Sequence, residues 1–211
     1  MKLTKYAHAC VTLEKDGRTI VVDPGTFTPD AAIAIAGAEA VLVTHEHGDH
    51  VDPTVLSAAL EALPGLRVYG PQAVVDTLGG HDGRVVAVEA GDHVEAAGFD
   101  VAVFGQTHAP IHPDIPALAN VGYLVDGTLY HPGDAYVAPE VEIEVLLLPT
   151  SGAWTDTEEA VAFVRRVRPQ RVIQIHELML SALGQGYLAR ILDGLTGVPL
   201  ERLQPGDTVT L

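Results

Sequence analysis

One cysteine, Cys10, stands among 211 residues, so no disulfide can form within the chain and zinc sites built from several thiolates are excluded. A lone thiol suits a reducing compartment, and a cytoplasmic location is expected. Lysine is scarce and ends at Lys15, and 12 basic side chains face 28 acidic ones, a formal net charge of −16. That balance repels polyanions at long range, so nucleic acid is not an expected partner. The one basic cluster, Arg165, Arg166, Arg168 and Arg171, falls around the end of a predicted helix, where cations complement the backbone dipole and stay solvated. No apolar run nears the roughly 18 residues of a membrane span, and the opening MKLTKYAHACVTLEKDGR lacks a signal-peptide core. Neither a membrane partner nor secretion is expected. No stretch rich in Pro, Gly or Ser marks a linker, so one domain over residues 1–211 is predicted.

What is present is globular: 47% of residues are hydrophobic and 19% charged, a composition able to build its own core. Residues 2–14 and 18–22 flank Asp16-Gly17, a dipeptide that favours a tight turn, which predicts an opening hairpin. A short Ala-rich stretch follows Asp23-Pro24-Gly25, and Glu39 to Thr44 reads as a buried strand ending at His45. Pro53 to Leu63 is helical in its apolar spacing, with Pro53 suited to the first turn. Further strands are predicted at 67–69, 84–88, 93–96 and 99–104, with a helix at 71–78. The second half gives strands at 120–125, 128–131, 143–148 and 171–175, helices at 156–167 and within 178–194, and a closing strand pair near 200–203 and 208–211. Strand-rich stretches interleaved with helices in both halves predict two sheets with helices on their outer faces, an α/β (α+β) arrangement.

Chemistry concentrates in His45-Glu46-His47-Gly48-Asp49-His50, three imidazoles and two carboxylates within six residues directly after an apolar strand. An extended segment lets His45 and His47 point one way while Asp49 and His50 face another, which suits two adjacent metal ions. A helix cap accounts for one aspartate here, Asp49 or Asp52, but not for three histidines beside it. Two ions need further ligands, and His108, Asp134 and His176 each follow an apolar strand where the chain turns, the usual place for sites in α/β folds. Each alone is weak, since a histidine beyond a strand is commonly structural. His112 rivals His108, because both lie in His108-Ala-Pro-Ile-His112-Pro-Asp-Ile-Pro.

His45-x-His47-x-Asp49-His50, followed in order by a distant His, Gly133-Asp134 and a late strand-end His, resembles the metallo-β-lactamase superfamily. The opening Tyr6-Ala7-His8-Ala9-Cys10 and the closing Gln204-Pro205-Gly206-Asp207 are similar to its compact branch of ascorbate-6-phosphate lactonase-like hydrolases. The resemblance implies a four-layer αββα sandwich with a binuclear site between its sheets. It further implies that His45, His47 and His108 hold one metal, that Asp49, His50 and His176 hold the other, and that Asp134 bridges them. Zn2+ is the expected ion, and Mn2+ or Fe suits the same donors. The cysteine ligand of several antibiotic-hydrolysing members is missing, which argues against a resistance enzyme.

The implied mechanism is hydrolysis by a hydroxide shared between the ions, with Asp49 guiding a proton and Asp134 joining the two metals as the catalytic carboxylates. Two ions, two aspartates and the hydroxide leave about +1 at the site, which favours a small anionic ester, lactone or phosphodiester. A superfamily nuclease and a non-catalytic metal protein are the competing readings, and a homo-oligomer is compatible with the sequence. Among the other histidines, His81 and His93 read as solvated, and His131 as packed or as a hydrogen-bond partner of a ligand. His8 reads equally as strand packing or as a cleft residue, Asp23 as a turn former or a carboxylate orienting a ligand histidine, and Trp154 as core or as cleft wall.

Overall fold

The structure is a computed structural model that describes residues 1–211. Its elements in chain order are β1 (Lys2–Lys5), β2 (Val11–Lys15), β3 (Arg18–Val22), α1 (Ala31–Ala36), β4 (Ala40–Leu42), α2 (Pro53–Ala62), β5 (Arg67–Gly70), α3 (Gln72–Leu78), β6 (Val85–Ala87), β7 (His93–Ala96) and β8 (Phe99–Phe104). They continue with β9 (Gly122–Val125), β10 (Leu129–His131), β11 (Val145–Pro149), α4 (Thr157–Val167), β12 (Arg171–Ile175), α5 (Ala182–Thr196), β13 (Leu200–Glu201) and β14 (Thr208–Thr210). Two seven-stranded sheets result, ordered β14-β1-β2-β3-β4-β5-β6 and β13-β12-β11-β10-β9-β8-β7.

Alternation along the strands builds the layers. In β11 the side chains of Val145 and Leu147 enter the core between the sheets, while Leu146 and Leu148 face the opposite way toward α4 and α5. In β8, Val101 and Val103 likewise face inward and Ala102 outward. The inter-sheet core joins Leu3, Leu13, Ile20 and Leu42 of the first sheet to Phe99, Tyr123, Leu147 and Ile173 of the second. A second cluster, including Ile35, Leu56 and Val74, packs α1 to α3 on the outer face of the first sheet. Strands buried on both faces explain the near-continuous apolar runs, and the outcome is the αββα sandwich. No helix is long and apolar enough to cross a membrane.

Two local expectations are corrected. Residues 2–14 are not one strand: the chain leaves the sheet at Tyr6 and re-enters at Val11, and the Tyr6 N–H bonds the Cys10 carbonyl (2.9 Å) to close the excursion. The final strands do not pair with each other. β13 runs parallel to β12 in the second sheet, whereas β14 pairs antiparallel with β1 in the first. The Gln204–Asp207 turn therefore crosses between sheets, and it bonds the backbone of Lys5 in both directions: Lys5 N–H to Asp207 (2.9 Å) and Gly206 N–H to Lys5 (2.8 Å).

The helix termini bear on the site. Asp52 caps α2, its Oδ1 accepting the N–H groups of Thr54 and Val55 (3.0 and 3.1 Å), which leaves Asp49 free for the cleft. Arg165 in the last turn of α4 donates to the Leu195 carbonyl near the end of α5 (2.6 and 3.0 Å), a structural use of the basic cluster.

Candidate metal centre

Strand ends from both sheets deliver polar side chains to one cleft between the sheets. β4 leads to Thr44 and His45, the chain bends at Glu46 rather than staying extended, and a turn closed by His50 N–H to His47 C=O (2.9 Å) reverses it. Asp23 directly follows β3, β10 leads to Asp134, and His176 directly follows β12. His8 (φ +59°), Asp23 (+50°) and His176 (+55°) are left-handed, a conformation uncommon for non-glycine residues and found where surrounding contacts over-determine the backbone. Gly25 allows the Asp23 turn to touch the His47–His50 turn, because any Cβ there would strike the Asp49 carbonyl.

The ligand-type atoms fall into two clusters, His45/His47/His108/Asp134 and His8/Asp49/His50/His176, each with its atoms within 4.8 Å of one another. In the first, His45 Nε2 lies 3.0 Å from His47 Nδ1, and His108 Nε2 lies 3.4 Å from Asp134 Oδ2. In the second, Asp49 Oδ2 is ringed by Nε2 of His8 (3.1 Å), His176 (3.4 Å) and His50 (3.9 Å). Asp134 stands between them: its oxygens also lie 3.2 Å from both His50 Nε2 and His176 Nε2. All seven residues expected from the sequence thus converge, and His8 joins them. His112 does not; it is exposed and faces Asp114 at 3.6 Å.

The neighbours of these imidazoles set their direction. Asp23 Oδ2 lies 2.7 Å from His50 Nδ1, and Asp23 also accepts the Thr44 N–H and hydroxyl, both at 2.7 Å. Thr44 Oγ1 meets His45 Nδ1 at 3.0 Å, and the Ala109 carbonyl meets His108 Nδ1 at 2.6 Å. With Nδ1 engaged, each ring presents Nε2 to the cleft, the arrangement that orients metal-binding histidines. His131 is packed: its Nε2 bonds the Ala9 carbonyl at 3.0 Å. Trp154 donates its indole N–H to Asp134 Oδ2 (2.9 Å) and stands edge-on to His108 (5.8 Å), so it fixes the central carboxylate and walls the cleft.

The donor set fits divalent ions. His50 Nε2, His108 Nε2, His176 Nε2 and Asp134 Oδ1 are buried and have no hydrogen-bond partner despite their proximity. Buried polar atoms are ordinarily paired, and atoms that approach one another without aligned hydrogen bonds aim at shared points instead. Imidazole with carboxylate suits Zn, Mn or Fe. The surroundings shift these groups in opposite directions. Burial, reinforced by the neighbouring His50, lowers the His45 pKa, and burial with His108 lowers that of His47. Burial works against charge on His50 and His176 too, but carboxylates override it: Asp134 and Asp23 push His50 well up, and Asp134 and Asp49 raise His176. Burial disfavours the Asp49 carboxylate, yet His176 and His8 hold its pKa far below the usual range.

Sequence reasoning missed Lys5 and Glu177. Lys5 is fully buried, and its Nζ lies 3.2 Å from both carboxylate oxygens of Glu177 while donating to the carbonyls of Tyr6 and His8, the latter at 2.8 Å. Glu177 Oε1 accepts the His8 N–H (3.0 Å), and the His176 N–H bonds the His8 carbonyl (3.1 Å). The ion pair therefore ties together the two left-handed histidines, whose ring centroids are 3.7 Å apart. Glu177 directly after a strand-end histidine was the available signal; a lone lysine in a strand offered none. Cys10 plays no part in the site, and burial pushes its thiol up to about 12.

Residues 2–176 match the β-lactamase superfamily domain. The chain is 34% identical to Protein Rv0786c of Mycobacterium tuberculosis, with all of both chains covered. It is 30% identical to a UPF0173 metal-dependent hydrolase of Aeropyrum pernix, covering 83% of this chain and 81% of that one. Among solved structures, Igni18, a metallo hydrolase from Ignicoccus hospitalis, shares the fold with a TM-score of 0.74 at 22% identity, over 100% of this chain and 97% of that one. With the two-sheet sandwich and its histidine-rich cleft, these likenesses establish that the chain belongs to the β-lactamase superfamily, among its metal-dependent hydrolases of the UPF0173 family.

Proposed function

We propose that the two clusters each take one divalent ion, zinc in the first instance, and that the pair hydrolyses a small ester, lactone or phosphodiester whose reacting group carries or develops negative charge. His45, His47 and His108 would hold one ion, Asp49, His50 and His176 the other with His8 as an added donor, and Asp134 would face both. The observation that carries this reading is the Asp134 carboxylate, which lies within 4.0 Å of Nε2 atoms from both clusters.

Divalent ions so held supply Lewis acidity, which polarises a carbonyl or phosphoryl oxygen and makes water a nucleophile near neutral pH. The chain's own residues do the rest. Asp49 stays ionised across the working pH range and can accept a hydrogen bond at Oδ2 from the attacking water, orienting it; its depressed pKa suits this better than full proton abstraction. Trp154 and Asp23 restrict the rotation of Asp134 and His50. The formal charge of −16 favours a small substrate over a polyanion.

The test is turnover of a phosphodiester and a lactone, side by side, by Zn- and Mn-loaded protein, with Asp134→Ala as control. Metal-dependent turnover of either substrate, lowered by on the order of 10²–10³-fold in the variant, is the expected result and identifies the bond class. Two ions bound with neither bond cleaved overturns this substrate assignment.

A further inference from the structure

The segment His108–Pro116, set apart in the sequence by its two histidines and three prolines, has a use that metal binding does not account for. It belongs to an excursion between β8 and β9 pinned at its base by an antiparallel bridge between Thr107 and Ala119. His108 N–H to the Leu118 carbonyl (2.9 Å) and Asn120 N–H to the Gln106 carbonyl (3.2 Å) complete that base. At the tip, the Ile115 N–H bonds the His112 carbonyl (2.9 Å) and the Asp114 N–H bonds His112 Nδ1 (3.1 Å). His112 thus shapes the turn, and Pro110, Pro113 and Pro116 fix φ around it.

Between this excursion and the metal centre lies a pocket of about 160 Å³, walled by Pro110, Ile111, Ile115 and Leu118 and reaching His47 and His108. No acidic side chain, lysine or arginine lines it. Ile111 and Ile115 remain 38% and 50% exposed, apolar surface held beside reactive groups by a braced loop. A ligand site of this kind, mostly apolar with a few convergent polar groups, is the usual form for small molecules. An apolar cavity of roughly 150 Å³ is enough to hold benzene.

We propose that this pocket receives an uncharged apolar substituent of the substrate, of the size of a phenyl ring or a short branched chain, while the reacting group sits at the ions. The proposal rests on the hydrolase reading above and narrows its substrates to esters, lactones or phosphodiesters carrying such a substituent next to the reacting group. Hydration favours moving that substituent out of water, and the ligand imidazoles fix its distance from the scissile bond.

Calorimetric binding of acetate and phenylacetate to the Zn-loaded protein tests it, since the shared carboxylate addresses the metals and only the ring addresses the pocket. Phenylacetate is expected to bind about 10- to 100-fold tighter, the gain for burying a ring of that area. Ile115→Asp and, separately, Ile111→Ser should remove that preference while leaving acetate affinity and bound zinc unchanged. Two exposed positions guard against a single variant that fails to fold. Equal affinity of the two acids, or a preference that survives both substitutions, overturns the pocket. If acetate binds and turnover persists without the preference, the pocket alone is wrong; if neither acid binds zinc-loaded protein, the metal-centre reading falls with it.

Discussion

The two ligand clusters are built by different means. His45, His47, His108 and Asp134 come from one strand end, the base of a surface excursion and the turn after β10, and His47 remains half-buried. His8, Asp49, His50 and His176 draw on both edges of the cleft, and two of the four are left-handed and tied by the Lys5–Glu177 pair. Each cluster takes one close pair from the His45–His50 segment, but the first adds residues no further away than Asp134, whereas the second joins His8 to His176 and is braced by a pair 172 residues apart. Only the second cluster has a buried ion pair holding its distant members together.

The strongest way to abolish the comparison is Asp134→Ala, because this carboxylate reaches both clusters. Bound metal should fall from two ions toward none, and turnover by on the order of 10²–10³-fold, read by elemental analysis and steady-state kinetics. Lys5→Met or Glu177→Gln should separate the clusters instead. Removing one partner of a buried pair costs about 3–5 kcal/mol, a melting temperature lower by roughly 10 °C for a chain of this size. The second ion should bind about 10- to 100-fold more weakly with the first unchanged, as stepwise titration would show. Equal weakening of both steps would refute the division of labour.

A subtler contrast is in protons. Near pH 7 the first cluster's His45 and His47 are already neutral, since burial lowers both. His50 and His176 have raised values, so they hold protons below those values and release them as pH rises through them or as a cation displaces them. Calorimetry in buffers of different ionisation enthalpy should therefore find one to two protons released, about, with the second ion and close to none from His45 and His47 with the first. The smallest effect belongs to His112→Ala, which should leave both stoichiometry and stability within about 0.5 kcal/mol of the parent, because His112 contacts only its own turn.

Legibility in the sequence cut across the two clusters. The His45–His50 segment and the strand-end residues His108, Asp134 and His176 could be read because metal ligands at strand ends leave a local signature. His8 could not be assigned, since Leu3, Ala7, Ala9, Val11 and Leu13 keep an apolar two-residue period, interrupted at Lys5, that reads as one strand. What breaks the strand is distant: Glu177 takes the His8 N–H and His176 bonds its carbonyl. The last two strands misled in the same way. Gln204-Pro205-Gly206-Asp207 has the residues of a hairpin turn, but the pairing partners were β12 and β1, which only the assembled sheets supply.

The chain order of the ligands separates the two clusters during synthesis. Every member of the first cluster is present once residue 134 has been made, while the second needs His176 beside His8, and Lys5 is bonded by backbone from residues 206 and 207. During synthesis from the N-terminus the second cluster's ligands are therefore complete later than those of the first. A chain halted before residue 176 lacks the His176 ligand and the Glu177 brace of the second cluster, so on the two-ion reading proposed above a second ion would report a chain made past that point.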